Sequence, residues 1–238
     1  MAAMALSTVV GVPSFYRIMG TLTPRRGDLR AVLQVSGYAH VSAVGFQALY
    51  RLDVILLSVF ASRSALGVYS VAVAAVALVW SVAEAFALRV FASDGTGDAH
   101  SLRDRDWRFI KLNALVSLIA GVVLGIGVTF ALPAILPAYN GAVVLIWLLL
   151  PGVIAQGPAR VALASLQRMG GERWAALLGL VALVSSSLYI PSAASQSSAR
   201  VAMVSSLVYV FLAALTLLIW KSSNTTMRPT RPVEVSEI

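Results

Sequence analysis

Apolar residues fall into six long blocks along the chain, about Ala31 to Phe60, Leu66 to Phe91, Phe109 to Leu132, Gly141 to Gln167, Trp174 to Ile190 and Val201 to Trp220. The blocks are continuous rather than alternating, which excludes the strands of a membrane β-barrel. Most reach or exceed the roughly 20 residues an α-helix needs to cross a bilayer. The pattern predicts an all-α polytopic membrane protein with a six-helix transmembrane bundle over residues 28–220. Polar stretches mark the connections. Leu132-Pro133 and Pro137 to Gly141 hold helix breakers and read as one turn, Met169-Gly170-Gly171-Glu172 as a tight turn, and Ser192 to Ser198 as a short polar loop. Ser93 to Asp106 mixes four Asp with Arg and reads as a solvated connection.

The ends differ from the middle. Ala2 to Tyr16 is apolar but short, Pro13 interrupts it, and the first basic residue, Arg17, follows it. A signal peptide carries its positive charge before the apolar core. The reading preferred for residues 1–20 is therefore a partial transmembrane helix. Residues 221–238 are rich in Ser, Thr, Asn and Pro and read as a disordered tail.

Charge then orients the bundle. The basic residues of one set of connections are Arg17, Arg25, Arg26, Arg30, Arg89, Arg103, Arg105, Arg108, Lys111, Arg168, Arg173, Lys221, Arg228 and Arg231, fourteen of the 18 in the chain. The opposite connections hold only Arg63 and Arg200. The positive-inside rule puts both termini in the cytoplasm, with the plasma membrane as the expected location. Only 12% of the 238 residues are charged, about half the share of a soluble domain. The net charge of +8 is read as topology signal and lipid-headgroup contact, not nucleic-acid binding. There is no cysteine, hence no disulfide or thiolate chemistry.

Four ionisable residues lie inside the apolar blocks: Arg51, Asp53, Glu84 and Arg160. Each costs roughly 2.5–3.5 kcal/mol at the membrane centre on insertion scales, so such groups face a polar cavity or a partner. Arg51 and Asp53 project about 200° apart on a helix, which argues against one shared cavity. Arg51 is a candidate ligand for a phosphate or acidic sugar, and Asp53 a candidate site for a coupling cation or proton. The alternative for both is snorkelling toward headgroups. Glu84 and Arg160 lie at matched depths on descending helices, which predicts an ion pair. Direct phosphate binding by Arg160 is the competing reading. Gln34, Tyr38, His40, Gln47 and Gln156 add polar atoms, with Gln34 and Tyr38 the candidates to line a sugar path or to bond between helices. His40 has no second ligand near it in sequence, so no metal or other cofactor is expected. No phosphate-binding Gly-rich loop, His-Glu-x-x-His or nucleophile elbow is present, and the chain is read as a non-enzyme.

Four segments carry a family likeness. They are Arg51-Leu52-Asp53-Val54-Ile55-Leu56-Leu57, then Ala65-Leu66-Gly67-Val68-Tyr69-Ser70-Val71-Ala72, then Leu148-Leu149-Leu150-Pro151-Gly152, and finally Gln167-Arg168-Met169-Gly170-Gly171-Glu172-Arg173. In this order and spacing the chain resembles the second half of a polysaccharide flippase of the multidrug/oligosaccharidyl-lipid/polysaccharide exporter superfamily. The resemblance implies two six-helix bundles around a central cavity, of which this chain supplies one. It also implies alternating access and a polyprenyl-diphosphate-linked oligosaccharide moved from inner to outer leaflet. The implied partners are membrane lipid, the lipid-linked glycan and a second six-helix bundle. Competing readings are a non-transporting subunit of a polysaccharide assembly complex and a small-molecule antiporter of the same superfamily.

Overall fold

The computed structural model describes residues 26–92, 99–194 and 196–223, with side-chain surroundings for residues 36–92, 101–194 and 196–223. The chain divides into two compact units, residues 1–37 and 38–238. Of the first unit, residues 26–37 are described and are helical. The expected partial helix over residues 1–20 and the tail beyond Ser223 lie outside the described residues.

Six long helices follow one another: α1 (Arg26–Phe60), α2 (Arg63–Phe91), α3 (Ala99–Ile135), α4 (Ala142–Arg168), α5 (Glu172–Ala194) and α6 (Ser198–Ser223). A 3-10 turn, Pro137–Tyr139, precedes α4. All six helices are long and apolar enough to cross a membrane, and no strand occurs among the described residues. The fold is an all-α six-helix transmembrane bundle.

Its polarity is that of a protein dissolved in lipid. Large apolar side chains cover the outside, among them Leu118, Val123, Ile126 and Phe130 on α3 and Leu207, Phe211 and Leu218 on α6. The interior joins an apolar core to buried polar groups, among them Asn113, Ser117, Gln156, Ser165, Ser205 and Thr216. Lipid tails offer no hydrophobic drive between helices, so close packing of small residues and interhelical hydrogen bonds hold such a bundle. The central helix, α4, packs against α2, α3 and α6. Gly121 and Gly125 of α3 form the face that receives Ile154 and Trp147 of α4. At Gly152 a Cβ would come within 2.7 Å of the Ser206 backbone on α6. The Gly152 N–H donates to Ser206 Oγ at 2.9 Å, and Gln156 Nε2 donates to the Tyr209 carbonyl at 2.8 Å. Pro151 and Pro158 both lie inside α4, where each removes a backbone N–H from the ladder. Neighbouring helices make such interruptions tolerable in lipid. On the far side, a Cβ on Gly179 of α5 would lie 2.8 Å from Ser42 Cα of α1.

The turn from α4 to α5 shows how little sequence is needed to reverse a helix. Gly170 adopts φ 78°, a left-handed conformation that glycine takes without steric cost. Gly171 N–H reaches back to the Leu166 carbonyl (2.8 Å) and Gly170 N–H to that of Gln167 (3.1 Å), the double bond of a Schellman cap.

Four boundaries move relative to the sequence expectation. The α3 helix starts at Ala99, so the second half of the polar Ser93 to Asp106 stretch is helical. Asp106 in it is buried rather than solvated, because Arg168 and Ser165 partner its carboxylate. At the other end α3 runs through Pro133 to Ile135. Similarly, α5 runs through Pro191 to Ala194, leaving residues 195–197 as the connection. Residues 221–223, assigned to the tail from composition, belong to α6. Their backbone continues a helix already packed on its buried face.

Candidate functional site

The strongest candidate is a cavity of about 530 Å³ opening between α1 and α2, with α4 and α6 behind it. Gln47, Arg51 and Val54 face it at helical spacing from α1, and Ser70, Ala74 and Ala77 from α2. Small residues on α2 keep the opening wide. Leu149 and Val153 of α4 and Tyr209 of α6 close the back.

Asp53 and Arg51 both border this cavity, contrary to the expectation from their angular separation. The cavity is lined from α1 by Gln47, Tyr50, Arg51, Asp53 and Val54, a wider arc of the helix than a single side-chain row. Their environments still differ. Arg51 is exposed at the rim. Asp53 is 2% exposed and is not snorkelled to the surface. Its Oδ2 accepts from Tyr69 Oη at 2.6 Å, and its Oδ1 accepts from the Val54 N–H. These bonds satisfy a buried carboxylate with neutral donors and tie α1 to α2.

In the wall of the cavity Tyr50, Trp80 and Tyr209 meet edge to face. Tyr209 Oη donates to the Leu49 carbonyl at 3.2 Å. The Arg160 guanidinium lies over the rings of Tyr50 (5.0 Å) and Trp80 (5.3 Å). It also forms an ion pair with Glu84. A smaller cavity of about 210 Å³ adjoins that pair, with Gln167 at its edge. Arg160 is thus held by a carboxylate and two aromatic faces, which suits a cation in a low-dielectric setting. These groups place Gln47 and Arg51 at the main cavity and Glu84 at the smaller one, with Arg160 and the aromatic cluster between them.

Of the residues singled out from sequence, Arg51 and Asp53 border the main cavity, and Glu84 and Arg160 pair beside the smaller one. Tyr38 is exposed and does not border the main cavity. The Gln34 side chain lies outside the described surroundings, and Gln156 is spent on the α4–α6 contact. Sequence reasoning missed Tyr50, Trp80 and Tyr209. Trp80 lies four residues before Glu84, and thus on the same helix face. That spacing was the available signal.

No family model, curated protein or solved structure matches the chain.

Proposed function

We propose that this chain is one six-helix half of a membrane transporter whose cargo is a polyprenyl-diphosphate-linked oligosaccharide, carried from the inner to the outer leaflet. The observation that carries the reading is the cavity between α1 and α2, where Gln47, Arg51, Asp53 and Ser70 line a recess in a lipid-coated bundle. Intramembrane charge at a cavity is the usual mark of a route for polar substrate. A guanidinium at the rim suits a diphosphate, since its planar fork matches phosphate oxygens. The motif order across the six helices, from Arg51-Leu52-Asp53 to the Met169-Gly170-Gly171 turn, supports the same reading. In the transporter a second bundle faces the α1–α2 side, so the cavity becomes central. The plasma membrane and cytoplasmic termini complete the proposal.

The absence of cysteine gives a clean test. Single cysteines are placed at Gln47 and Ala74 in the cavity and at Leu118 on the outer face, in otherwise unaltered protein in membranes. A membrane-impermeant maleimide should label the two cavity positions and spare Leu118. A polyprenyl-diphosphate oligosaccharide should protect the cavity positions, and Arg51→Gln should abolish the protection. Labelling of Leu118 equal to that of Gln47, or labelling that the glycolipid leaves unchanged, overturns the proposal.

A further inference from the structure

A second and larger recess, about 860 Å³, lies between α3 and α6 at the opposite flank of the bundle, with Pro158 of α4 at its back. Its composition is graded along the helices. Arg103 and Lys221 stand at one end with Asp104 the single carboxylate, Lys111 follows two turns further along α3, and Ala114, Ala214, Leu217 and Leu218 line the remainder. On α6, Ala214 is seven residues from Lys221, and on α3, Ala114 lies one turn beyond Lys111. The apolar part therefore extends roughly 10 Å along α6 from Lys221.

The charged end is rigidly built. Trp107 stacks on Trp220 with ring centroids 5.7 Å apart and planes 15° from parallel. Trp220 Nε1 donates to Ser165 Oγ at 3.0 Å, and Ser165 donates in turn to Asp106 Oδ2 at 2.5 Å. Asp106 is held by Arg168 at 2.6 Å. Lys111 lies over the Trp107 ring, 5.2 Å from its centroid. Among the described residues, Arg89, Arg105, Arg108, Arg168 and Arg173 belong to the same set of connections as this end, and tryptophan beside lysine and arginine is the composition of a membrane–water interface.

From this gradient we infer that the α3–α6 groove is a binding site for an anionic phospholipid of the leaflet facing the basic end. Its phosphate is held among Arg103, Lys111 and Lys221, and an acyl chain lies against Ala114, Ala214 and Leu218. Charge complementarity selects the occupant. Three cations against one carboxylate favour a headgroup with net negative charge, as basic pockets between transmembrane helices do. The apolar run along the helix axes selects a lipid over a soluble anion. The site is on the opposite flank from the α1–α2 cavity and does not depend on the transport reading.

Purified protein in neutral detergent is titrated with dioleoyl phosphatidylglycerol, with the phosphatidylcholine of the same chains, and with inorganic phosphate. Binding is followed by native mass spectrometry and by the unfolding midpoint. Phosphatidylglycerol should bind about tenfold or more tightly than phosphatidylcholine, given the contribution of each cation near an anionic headgroup. Replacing Arg103, Lys111 and Lys221 together by Gln should remove that preference. Removing the same number of charges at Arg89, Arg108 and Arg173, which do not border the groove, should leave it. Ala214→Trp fills the apolar part without altering charge and should weaken the lipid alone. Equal binding of the two lipids overturns the inference, as does loss of preference in the Arg89/Arg108/Arg173 variant. So does displacement of the lipid by equimolar phosphate, or a dimer mass replacing the lipid adducts.

Discussion

At the scale of single residues, two ion pairs with different surroundings make different predictions. Arg168 and Asp106 are 8% and 1% exposed in their side chains, and Asp106 also accepts from Ser165. Removing one partner of a buried pair leaves the other uncompensated, which costs about 3–5 kcal/mol. Asp106→Ala should therefore lower the unfolding midpoint of the solubilised protein sharply, and Arg168→Met combined with Asp106→Leu should recover much of the loss. Unchanged stability of the single variant would show that the network holds nothing. The Arg160–Glu84 pair is looser, with Glu84 45% exposed in its side chain and Arg160 shared with Tyr50 and Trp80. The expected coupling energy is about 1 kcal/mol, toward the low end for contacting groups. A double-mutant cycle of Arg160→Ala and Glu84→Ala, read by unfolding, measures it. If Arg160 instead serves the cargo diphosphate, its loss abolishes export at normal protein level, and exchange of the two charges gives no rescue.

At the scale of elements, the contacts between helices rest on small residues at defined points. Gly179→Leu should separate α5 from α1, because even a Cβ there meets the Ser42 backbone at 2.8 Å. Gly127 has nothing within 4 Å of a Cβ, so Gly127→Ala should be neutral or stabilising and serves as the control. At the α4–α5 turn, Gly170→Ala forces a side chain into the left-handed region, at about 1–2 kcal/mol. Thermal unfolding of the three variants in one detergent ranks them. A Gly179→Leu protein as stable as Gly127→Ala would mean that α1 and α5 are not packed as described. The helix ends carry a related lesson. Proline at positions 133 and 191 stays inside α3 and α5, since a breaker ends a helix only where nothing else holds the next turn.

At the scale of the whole molecule, orientation and association are the open quantities. Reporter fusions after Arg173 and after Ser223 should both report cytoplasm, and one after Ser197 the outside, as the distribution of basic residues requires. An outside signal after Arg173 reverses the orientation. The polar face with Gln47 and Arg51 is exposed in a single bundle, and lipid against it is costly. Association with another bundle across the α1–α2 face is the expected remedy. Cysteines at Ala74 and Ala77 should then form intermolecular cross-links in membranes, and cysteines at Val123 and Ile126 on α3 should not. A monodisperse monomer that transports in nanodiscs would dispose of the half-transporter reading.

The six membrane helices were legible in the sequence because hydrophobic length alone decides whether a helix crosses lipid, and no tertiary contact can override it. The Arg160–Glu84 pairing was legible for a related reason: two charges at matched depth on rigid helices in a low dielectric have few alternatives to each other. The turn at Gly170-Gly171 was equally local. Tertiary structure alone decided the rest. Asp106 looked solvated because its neighbours in sequence are charged, yet it is buried by Arg168 and Ser165 from another helix. Arg51 and Asp53 share a cavity because its walls come from four helices, and no one helix wheel contains that shape. Tyr50, Trp80 and Tyr209 lie far apart in sequence and meet only when α1, α2 and α6 pack. Hydropathy fixes which segments enter the membrane; which faces meet there is set by side-chain fit between segments distant along the chain.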